Sequence, residues 1–266
     1  MLFRSRVAVA GKIALAGGYQ FLDIGPLFGT LLRAGQRVEE TFELRQGQQY
    51  VFLAGGDDDA NDVDLYLYDA SGNLVVKDSH RDRSALMQFR APRTARYRVV
   101  LSVDKSGPRG AFCAMSVLTR DRSHSFEMRA ESLLDTLVRL EASFLILEKA
   151  LRENLNQDLH LQFHSGNNTW LLMGAILNHK SSVSSDPKRF PSGEYIGITL
   201  GEESCSDANL YINDASGRQL LRGTDTQSFS FVAFNGGSGD PLSLQMENAY
   251  SRRPSLLLTA VLRIDR

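Results

Sequence analysis

Six side chains with oxygen donors fall within the eight positions 57–64 of the sequence GDDDANDVDLYLYDASG. Carboxylate and amide oxygens are the ligands that Ca²⁺ takes, and carboxylates this dense repel one another when no cation is present. The spacing is not that of an EF-hand, because it lacks the glycine at the sixth position and the later bidentate Glu. A solvated acidic loop whose Asp side chains cap turns is the alternative. The predicted calcium ligands are Asp57, Asp59, Asn61, Asp62 and Asp64.

Part of this stretch recurs near the C-terminal end of the chain. Residues 64–72 (DLYLYDASG) match residues 209–217 (NLYINDASG) at an offset of 145 residues (209 minus 64). The strand and turn recur but the acidic run does not, so a tandem pair of domains is predicted, with calcium confined to the first. Weaker metal candidates in the second copy are Asp207, Asn209 and Asp225.

The repeated strand alternates between apolar and polar residues. Leu65 and Leu67 point to one face, and Asp64, Tyr66 and Tyr68 point to the other. The second copy keeps the first face apolar, so we predict that the leucine face is core and the tyrosine face is wet. Such tyrosines could stack on sugar rings or on a protein partner, or they could simply pack within the sheet. The predicted partner surface is Tyr66, Tyr68 and Tyr211.

The composition bounds the classes of partner. A length of 266 residues predicts about two domains, and 42% apolar with 23% charged residues allows each domain a core. The net charge of -1 gives no long-range attraction to nucleic acid or to an anionic membrane, so neither is an expected partner. No run reaches the roughly 18 apolar residues that a membrane-spanning helix needs.

The N-terminal residues and the cysteines bear on the compartment. Arg4 and Arg6 precede an apolar run over 7–16 that ends in small residues, the order of a secretory leader. Lys12 weakens that pattern, and an amphipathic first element of the fold is the alternative. We expect a periplasmic or secreted protein. For Cys113 and Cys205, an interdomain disulfide and two buried free thiols both remain open, while the absence of a CxxC pair argues against zinc.

The remaining sequence predicts strands and one helix. Alternating runs between turn-forming residues predict strands about every 8 to 12 residues in both halves, as in a β-sandwich. No element is predicted over 19–36, and none over the polar stretch 179–193. Residues 126–155 lack Pro and Gly and predict one helix of about 45 Å, which either packs along the β domains or associates with a second chain. Its apolar seam is Leu133, Leu137, Leu140, Phe144, Leu147 and Leu151.

The predicted fold is mainly β, with two jelly-roll-like antiparallel β-sandwich domains connected by a long amphipathic α-helix. The predicted bounds are 1–35 for a leader or N-terminal segment, 36–120 for the first sandwich, 121–157 for the helical linker and 158–266 for the second sandwich.

Several of these motifs together resemble the bacterial pre-peptidase C-terminal domain and its collagen-binding relatives. They are an aromatic pair (Tyr50, Phe52), the Asp-rich loop, the Asp-Leu-Tyr-Leu strand with its polar turn, and a later strand with Tyr97, Val99 and Leu101. The resemblance implies a non-catalytic β-sandwich appended to secreted proteins, calcium-stabilised in some members and adhesive to protein or polysaccharide in others. It covers 36–119 better than 190–266. The missing second acidic loop and the long helix depart from it.

No nucleophile or phosphate-loop motif is present in the sequence. His160 and His164 alternate with apolar residues, which places them about 13 Å apart on the wet face of a strand, too far to share a metal. We therefore predict a non-catalytic binding, adhesion or scaffold protein. One alternative is a hydrolase or lyase on a jelly-roll frame that uses carboxylates or these histidines with a metal, and another is an oligomeric subunit assembled through the helix.

Overall fold

A computed structural model describes residues 17–123, 125–126, 128, 130–163, 169–224 and 226–266. Within these ranges the chain is mainly β, with nineteen strands and one helix. It divides into two compact units. The first holds the described residues up to Ala130 together with Thr169 and Trp170, and the second holds those from Glu131 to Phe163 and from Leu171 to the end.

The first unit contains ten strands in two antiparallel arrangements. One sheet has the order β3-β8-β5-β6. In the other, β9 lies between β4 and the successive strands β1 and β2, and β7 flanks β4. The strands are β1 (Gln20–Leu22), β2 (Ile24–Leu32), β3 (Gln36–Leu44), β4 (Gln49–Gly56), β5 (Ala60–Tyr68), β6 (Leu74–Asp78), β7 (Ser84–Arg90), β8 (Ala95–Ser106), β9 (Ala111–Thr119) and β10 (Ser125–Phe126).

The second unit contains the helix and nine strands. One sheet has the order β13-β18-β15-β16. In the other, β19 lies between β14 and the strands β11 and β12, and β17 flanks β14. The elements are α1 (Ala130–Leu155), β11 (His160–Gln162), β12 (Leu172–Leu177), β13 (Ser181–Ser184), β14 (Gly193–Gly201), β15 (Cys205–Asp214), β16 (Gln219–Gly223), β17 (Phe229–Gly236), β18 (Leu242–Ser251) and β19 (Ser255–Asp265).

Two stretches without a predicted element form strands. Residues 20–32 give β1 and β2, which pair with β9 although Pro26 interrupts the sequence pattern. The polar stretch 179–193 contains β13, which pairs with β18. The strands of both stretches are recognisable only from their partners, because the first stretch is irregular in pattern and the second forms a four-residue serine-rich strand.

The helix begins four residues later than the sequence predicts. Phe126 belongs to β10, whose backbone pairs with β1, so the helical run starts at Ala130. The predicted apolar seam is otherwise correct, with Leu133, Leu137, Leu140 and Leu147 buried. The helix is anchored within its own unit by ring contact between Phe144 and Phe163 and by the Leu161 amide, which donates to Glu148 at 2.7 Å.

No helix in the described ranges is long and apolar enough to cross a membrane.

The hairpin that follows the repeated strand forms as predicted in each unit. Asp69 Oδ1 accepts the amides of Ser71 and Asn73, both at 2.9 Å, and Gly72 adopts a φ of 83°. In the second unit the Asp214 carboxylate accepts the Ser216 and Arg218 amides in the same way. An Asp that bonds the backbone ahead of it, followed by a residue free to take positive φ, specifies this turn locally.

Candidate functional site

The face of the β3-β8-β5-β6 sheet that points away from the core carries two tyrosines. Leu65 and Leu67 are fully buried on the core side of β5, and Tyr66 and Tyr68 lie half-buried on the other side. The register of β5 with β6 and β8 gives their neighbours. We call this surface the first tyrosine face, and it consists of Asp64, Tyr66, Tyr68, Lys77, Arg98, Val100 and Ser102.

Charged neighbours hold both rings in place. The Tyr66 hydroxyl donates to Asp64 Oδ2 at 2.9 Å, and the Arg98 guanidinium carbon lies 4.7 Å from the centroid of the Tyr68 ring. Arg98 is itself paired with Glu39 at 2.7 Å. Burial and the hydrogen bond to the Asp64 carboxylate raise the pKa of Tyr66 to about 12, so its hydroxyl remains a donor at neutral pH.

Asp64 is buried, so the prediction that the tyrosine face is wet is wrong at this residue. The residue is 4% exposed, and its Oδ1 atom has no hydrogen-bond partner. Burial raises the pKa of the Asp64 carboxyl, opposed by the Tyr66 hydrogen bond and assisted by the charges of Asp104, Asp62 and Asp78. Strand alternation fixes which way a side chain points, but neighbouring side chains on that face decide how much water reaches it.

The matching sheet of the second unit carries a denser hydrogen-bond network. Glu247 Oε2 accepts the Tyr211 hydroxyl at 2.6 Å and the Asn209 side-chain amide at 2.9 Å. Gln245 accepts from the Asn213 amide at 3.0 Å and donates to Ser182 at 2.9 Å. We call this surface the second tyrosine face, and it consists of Ser182, Asn209, Tyr211, Asn213, Arg222, Gln245 and Glu247.

Tyr211 has the same environment as Tyr66 in chemical terms. Burial and the hydrogen bond to Glu247 raise the pKa of Tyr211 to about 12. A cation stands opposite each ring on the next strand, Lys77 beside Tyr66 and Arg222 beside Tyr211. Each tyrosine therefore lies on a row of the sheet that includes a cation, with a carboxylate bonded to its hydroxyl.

Glu247 was not singled out from the sequence, although a signal for it exists. Glu247 is opposite Asn209 in the register of β15 with β18, and Ser102 holds the same place opposite Asp64. The repeat offset of 145 residues also relates Ser102 to Glu247. If the repeat is extended from this strand to its paired strand, Glu247 takes the place of Ser102, just as Asn209 takes the place of Asp64.

Asp57 and Asp58, at the start of the acidic loop, form hydrogen bonds and an ion pair with other groups of the protein. Asp57 accepts the Asp59 amide at 3.1 Å with one oxygen and the Phe112 amide at 3.0 Å with the other. Asp58 pairs with Arg83 at 3.2 Å. These contacts are those of the turn-capping alternative rather than of side chains directed at one ion.

The five predicted calcium ligands are split between loop and strand. Asp59 and Asn61 are exposed, whereas Asp62 and Asp64 are 6% and 4% exposed on β5. In the part of the chain that the structure describes, no three His, Cys, Asp or Glu side chains are grouped so as to hold a metal ion. The five residues therefore do not form one closed cage of oxygens, and calcium binding stays a prediction that now concerns chiefly Asp62 and Asp64.

The remaining metal candidates are dispersed. Asp207 lies at a bulge of β15, where burial raises the pKa of its carboxyl, and Asp225 lies outside the described residues. His160 is exposed on β11, as predicted, and contacts Arg152 and Glu148. His164 also lies outside the described residues.

Both cysteines are buried free thiols. Burial raises the pKa of Cys113 far above its usual range and that of Cys205 to about 11, which leaves both thiols protonated at neutral pH. Each lies beside a glycine of another strand, Cys113 of β9 beside Gly56 of β4 and Cys205 of β15 beside Gly201 of β14. They act as small core residues.

A cavity of about 580 Å³ lies in the second unit between the 214–218 turn and the loop that joins β17 to β18. Its lining combines apolar residues such as Phe234 with Asp214, Arg218 and Asp240, and the Arg218 Nε atom pairs with Asp214 at 3.0 Å. The volume suits a small polar molecule. None of the tyrosines predicted to contact a partner lines it.

Comparison with known proteins gives only distant structural similarity. No family model matches the chain, and no curated protein matches it in sequence. Among solved structures, the periplasmic lysozyme inhibitor PliG of Aeromonas hydrophila is 11% identical with a TM-score of 0.30, over 36% of this chain and 87% of its own. The pre-peptidase C-terminal domain of a Bacillus anthracis collagenase is 13% identical with a TM-score of 0.30, over 35% and 89%.

A structure described as a CBM4 is 10% identical with a TM-score of 0.26, over 38% of this chain and 77% of its own. The neighbours thus include the domain type that the sequence resembles, together with other β-sandwich proteins, over about a third of the chain.

Proposed function

We propose that this chain is a non-catalytic, extracytoplasmic binding protein that holds a polysaccharide through its two tyrosine faces. The observation that carries the proposal is the same in both units: a half-buried tyrosine on the outer face of a sheet, with its hydroxyl bonded to a carboxylate and a cation opposite on the next strand. Two jelly-roll-like sandwich domains form the frame.

The chemistry of these faces suits a polyhydroxylated chain. A fixed aromatic ring offers apolar surface to the flat side of a sugar at little cost in conformational entropy. Carboxylate and amide groups beside it accept and donate hydrogen bonds to hydroxyls, which Asn213, Gln245 and Glu247 supply in the second face. Because these groups are already bonded to one another, they are oriented before a ligand arrives.

The jelly-roll frame is supported by the strand pairing within each unit. The four-stranded sheets follow the orders β3-β8-β5-β6 and β13-β18-β15-β16, and the second layers contain β9 between β2 and β4, and β19 between β12 and β14. A jelly roll also consists of two sheets between which successive strands cross, so this pairing supports the proposed frame. The extracytoplasmic location rests on the leader-like order of residues 4–16, which lies outside the described residues.

Affinity electrophoresis through gels that contain neutral or acidic polysaccharides tests the proposal. We expect one class to retard the native protein, and we expect Tyr66→Ala and Tyr211→Ala each to weaken retardation by about tenfold, the worth of one stacked ring. Tyr250→Ala is the matched control, since Tyr250 is 53% exposed and belongs to neither face.

Three results would redirect the proposal. Retention by immobilised protein rather than by any polysaccharide would assign the faces to a protein partner. Shortening of the polysaccharide during the run would favour the hydrolase or lyase alternative. Full binding by the Tyr66→Ala, Tyr211→Ala double variant would remove the tyrosine faces from the interaction.

A further inference from the structure

The helix α1 carries a second apolar stripe, opposite the buried one. Val138, Leu145 and Ile146 are 51%, 66% and 70% exposed, and Ala142 lies between them on the same side. Single exposed aliphatic residues are ordinary on a protein surface, but several contiguous ones on one helix face mark an interaction site.

The spacing of this exposed stripe is that of a helix–helix seam. The stripe advances by three, four, three and four residues through Asp135, Val138, Ala142, Leu145 and Lys149. Only Lys149 lies in the last two turns of the helix. Such spacing keeps side chains in line along one face of a helix, where they can fit between those of a second helix. The face spans an element of 26 residues, or about 39 Å.

The charges at the two ends of the stripe have opposite signs and lie symmetrically about its centre. Asp135 lies seven residues before Ala142 and Lys149 seven residues after it, which is about two helical turns in each direction. Val138 and Ile146 are likewise each four residues from Ala142. Reversing the helix about Ala142 therefore brings these residues together in pairs, and it also brings Leu145 to Arg139 and Glu131 to Glu153, which already lies 3.8 Å from Lys149 on its own helix.

We propose that α1 associates with the same helix of a second copy of this chain, antiparallel and centred on Ala142. In that arrangement Asp135 of each copy meets Lys149 of the other, and Val138 meets Ile146. A parallel pair would instead place Asp135 against Asp135 and Lys149 against Lys149, which repel. The small Ala142 at the centre lets the two backbones approach closely.

The contact between the two helices does not involve the tyrosine faces, because these faces belong to the sheets. A dimer formed through an isologous contact would also double the number of tyrosine faces in one particle, which raises the avidity for a repetitive ligand without any new contact to it.

Sedimentation velocity of the full chain from about 1 to 200 µM tests the dimer, a range that brackets weak self-association. We expect dimer to accumulate with concentration in the native protein. We expect Leu145→Ser with Ile146→Ser to abolish it, while Leu86→Ser leaves it unchanged, because Leu86 is 48% exposed on β7 and does not belong to the helix.

Exchanging the charges of Asp135 and Lys149 distinguishes the antiparallel dimer from other modes of association. Asp135→Lys or Lys149→Asp alone should weaken dimerisation by about tenfold, because two-fold symmetry disrupts two ion pairs at once. The variant that carries both changes should regain the native dimer, since the reversed charges again meet as opposites. Circular dichroism melts confirm that each variant is folded.

Three outcomes would overturn the proposal. The first is a native chain that stays monomeric over the whole concentration range. The second is a dimer that resists the Leu145→Ser, Ile146→Ser variant. The third is a dimer tightened by Asp135→Asn, which is the signature of like charges in a parallel pair.

Discussion

Both tyrosine faces provide a carboxylate that accepts the tyrosine hydroxyl, but the carboxylate comes from a different strand in each face. In the first face Asp64 supplies it from β5, the strand that also carries Tyr66, and Ser102 stands opposite on β8. In the second face Asn209 takes the place of Asp64, and Glu247 on β18 supplies the carboxylate across the sheet. Both tyrosines keep an acceptor, so the bonded ring is the shared feature.

The exchange changes how many hydrogen bonds the carboxylate accepts. One oxygen of Glu247 accepts from both Tyr211 and Asn209, whereas Asp64 leaves Oδ1 buried without a partner. A buried carboxylate oxygen without a hydrogen bond costs about 1–3 kcal/mol. The Glu247 oxygen is thus satisfied by two donors, whereas Asp64 keeps a buried oxygen without one. In the second unit the unpartnered buried oxygen belongs instead to Asp207, at the bulge of β15, whose charge interacts with that of Glu247.

The largest expected effect concerns the buried leucines that both units carry beneath the tyrosine faces. Leu65 and Leu210 are both fully buried at equivalent places in the repeated strand. We expect Leu65→Ala and Leu210→Ala each to lower the free energy of unfolding of its unit by about 3 kcal/mol, through lost transfer energy and the cavity left behind.

Urea unfolding followed by hydrogen exchange of each unit gives the measurement. An exposed aliphatic residue on the adjoining hairpin strand, Leu74, serves as the control, because Leu74→Ala removes a side chain that is already 48% exposed. A loss confined to one of the two core variants would show that the repeat is not equivalent in packing.

The next effect tests the difference between the faces. Glu247→Ala leaves the Tyr211 hydroxyl and the Asn209 amide without their acceptor, so we expect a loss of about 2 kcal/mol in the second unit. Ser102→Ala at the same register position in the first unit should cost less than about 0.5 kcal/mol.

Glu247→Gln is the conservative control, since its amide oxygen can still accept both bonds. We expect it to recover most of the stability lost in Glu247→Ala, as read from chemical denaturation curves. Equal losses for Glu247→Ala and Ser102→Ala would mean that the carboxylate does not hold the ring.

Much of the frame could be predicted from local chemistry in the sequence. The alternation about Leu65 and Leu67 follows from the period of two in a strand, and the hairpin follows from the Asp69 side chain bonding the backbone of its own turn. The buried seam of α1 follows from the helical period. Each of these signals lies within a few residues of what it specifies.

The features that were missed depend on partners distant in sequence. β2 is defined by pairing with β9, about eighty residues away, and Pro26 obscures its pattern. Glu247 becomes relevant only once the register of β15 with β18 is known, and the burial of Asp64 depends on side chains from neighbouring strands. Local periodicity contains none of this information.

A smaller effect concerns the unsatisfied acid itself. We expect Asp64→Asn to raise the free energy of unfolding by about 1 kcal/mol at about pH 7, because the amide still accepts the Tyr66 hydrogen bond and carries no buried charge. The folded pKa of Asp64 is raised, so its contribution is favourable only below the unfolded value and is lost as the pH rises through the folded one.

The stabilisation by Asp64→Asn should therefore shrink as the pH falls through the raised pKa of Asp64, where the native carboxyl takes up its proton. Denaturation of both proteins at several pH values measures it. Asn209→Asp provides the converse in the second unit, since it places a second carboxylate beside Glu247 and should destabilise most at neutral pH. A gain from Asp64→Asn that is independent of pH would assign it to packing.

The smallest expected effect is that of calcium, and it is confined to the first unit. Asp62 and Asp64 are both buried on β5, and the charge of Asp62 helps to raise the pKa of Asp64. We expect two carboxylates completed by water to bind Ca²⁺ only weakly, with a Kd of about 1 mM. CaCl₂ at about 2 mM should then stabilise the first unit by about 0.6 kcal/mol, a shift of a few degrees in Tm.

Asp62→Asn with Asp64→Asn should remove the response to the ion, and MgCl₂ at equal ionic strength controls for screening. The second unit, where Asn209 replaces Asp64, should not respond. An unchanged Tm in the native protein would leave the acidic run as a turn-capping loop and reduce the contrast between the two faces to the placement of one carboxylate.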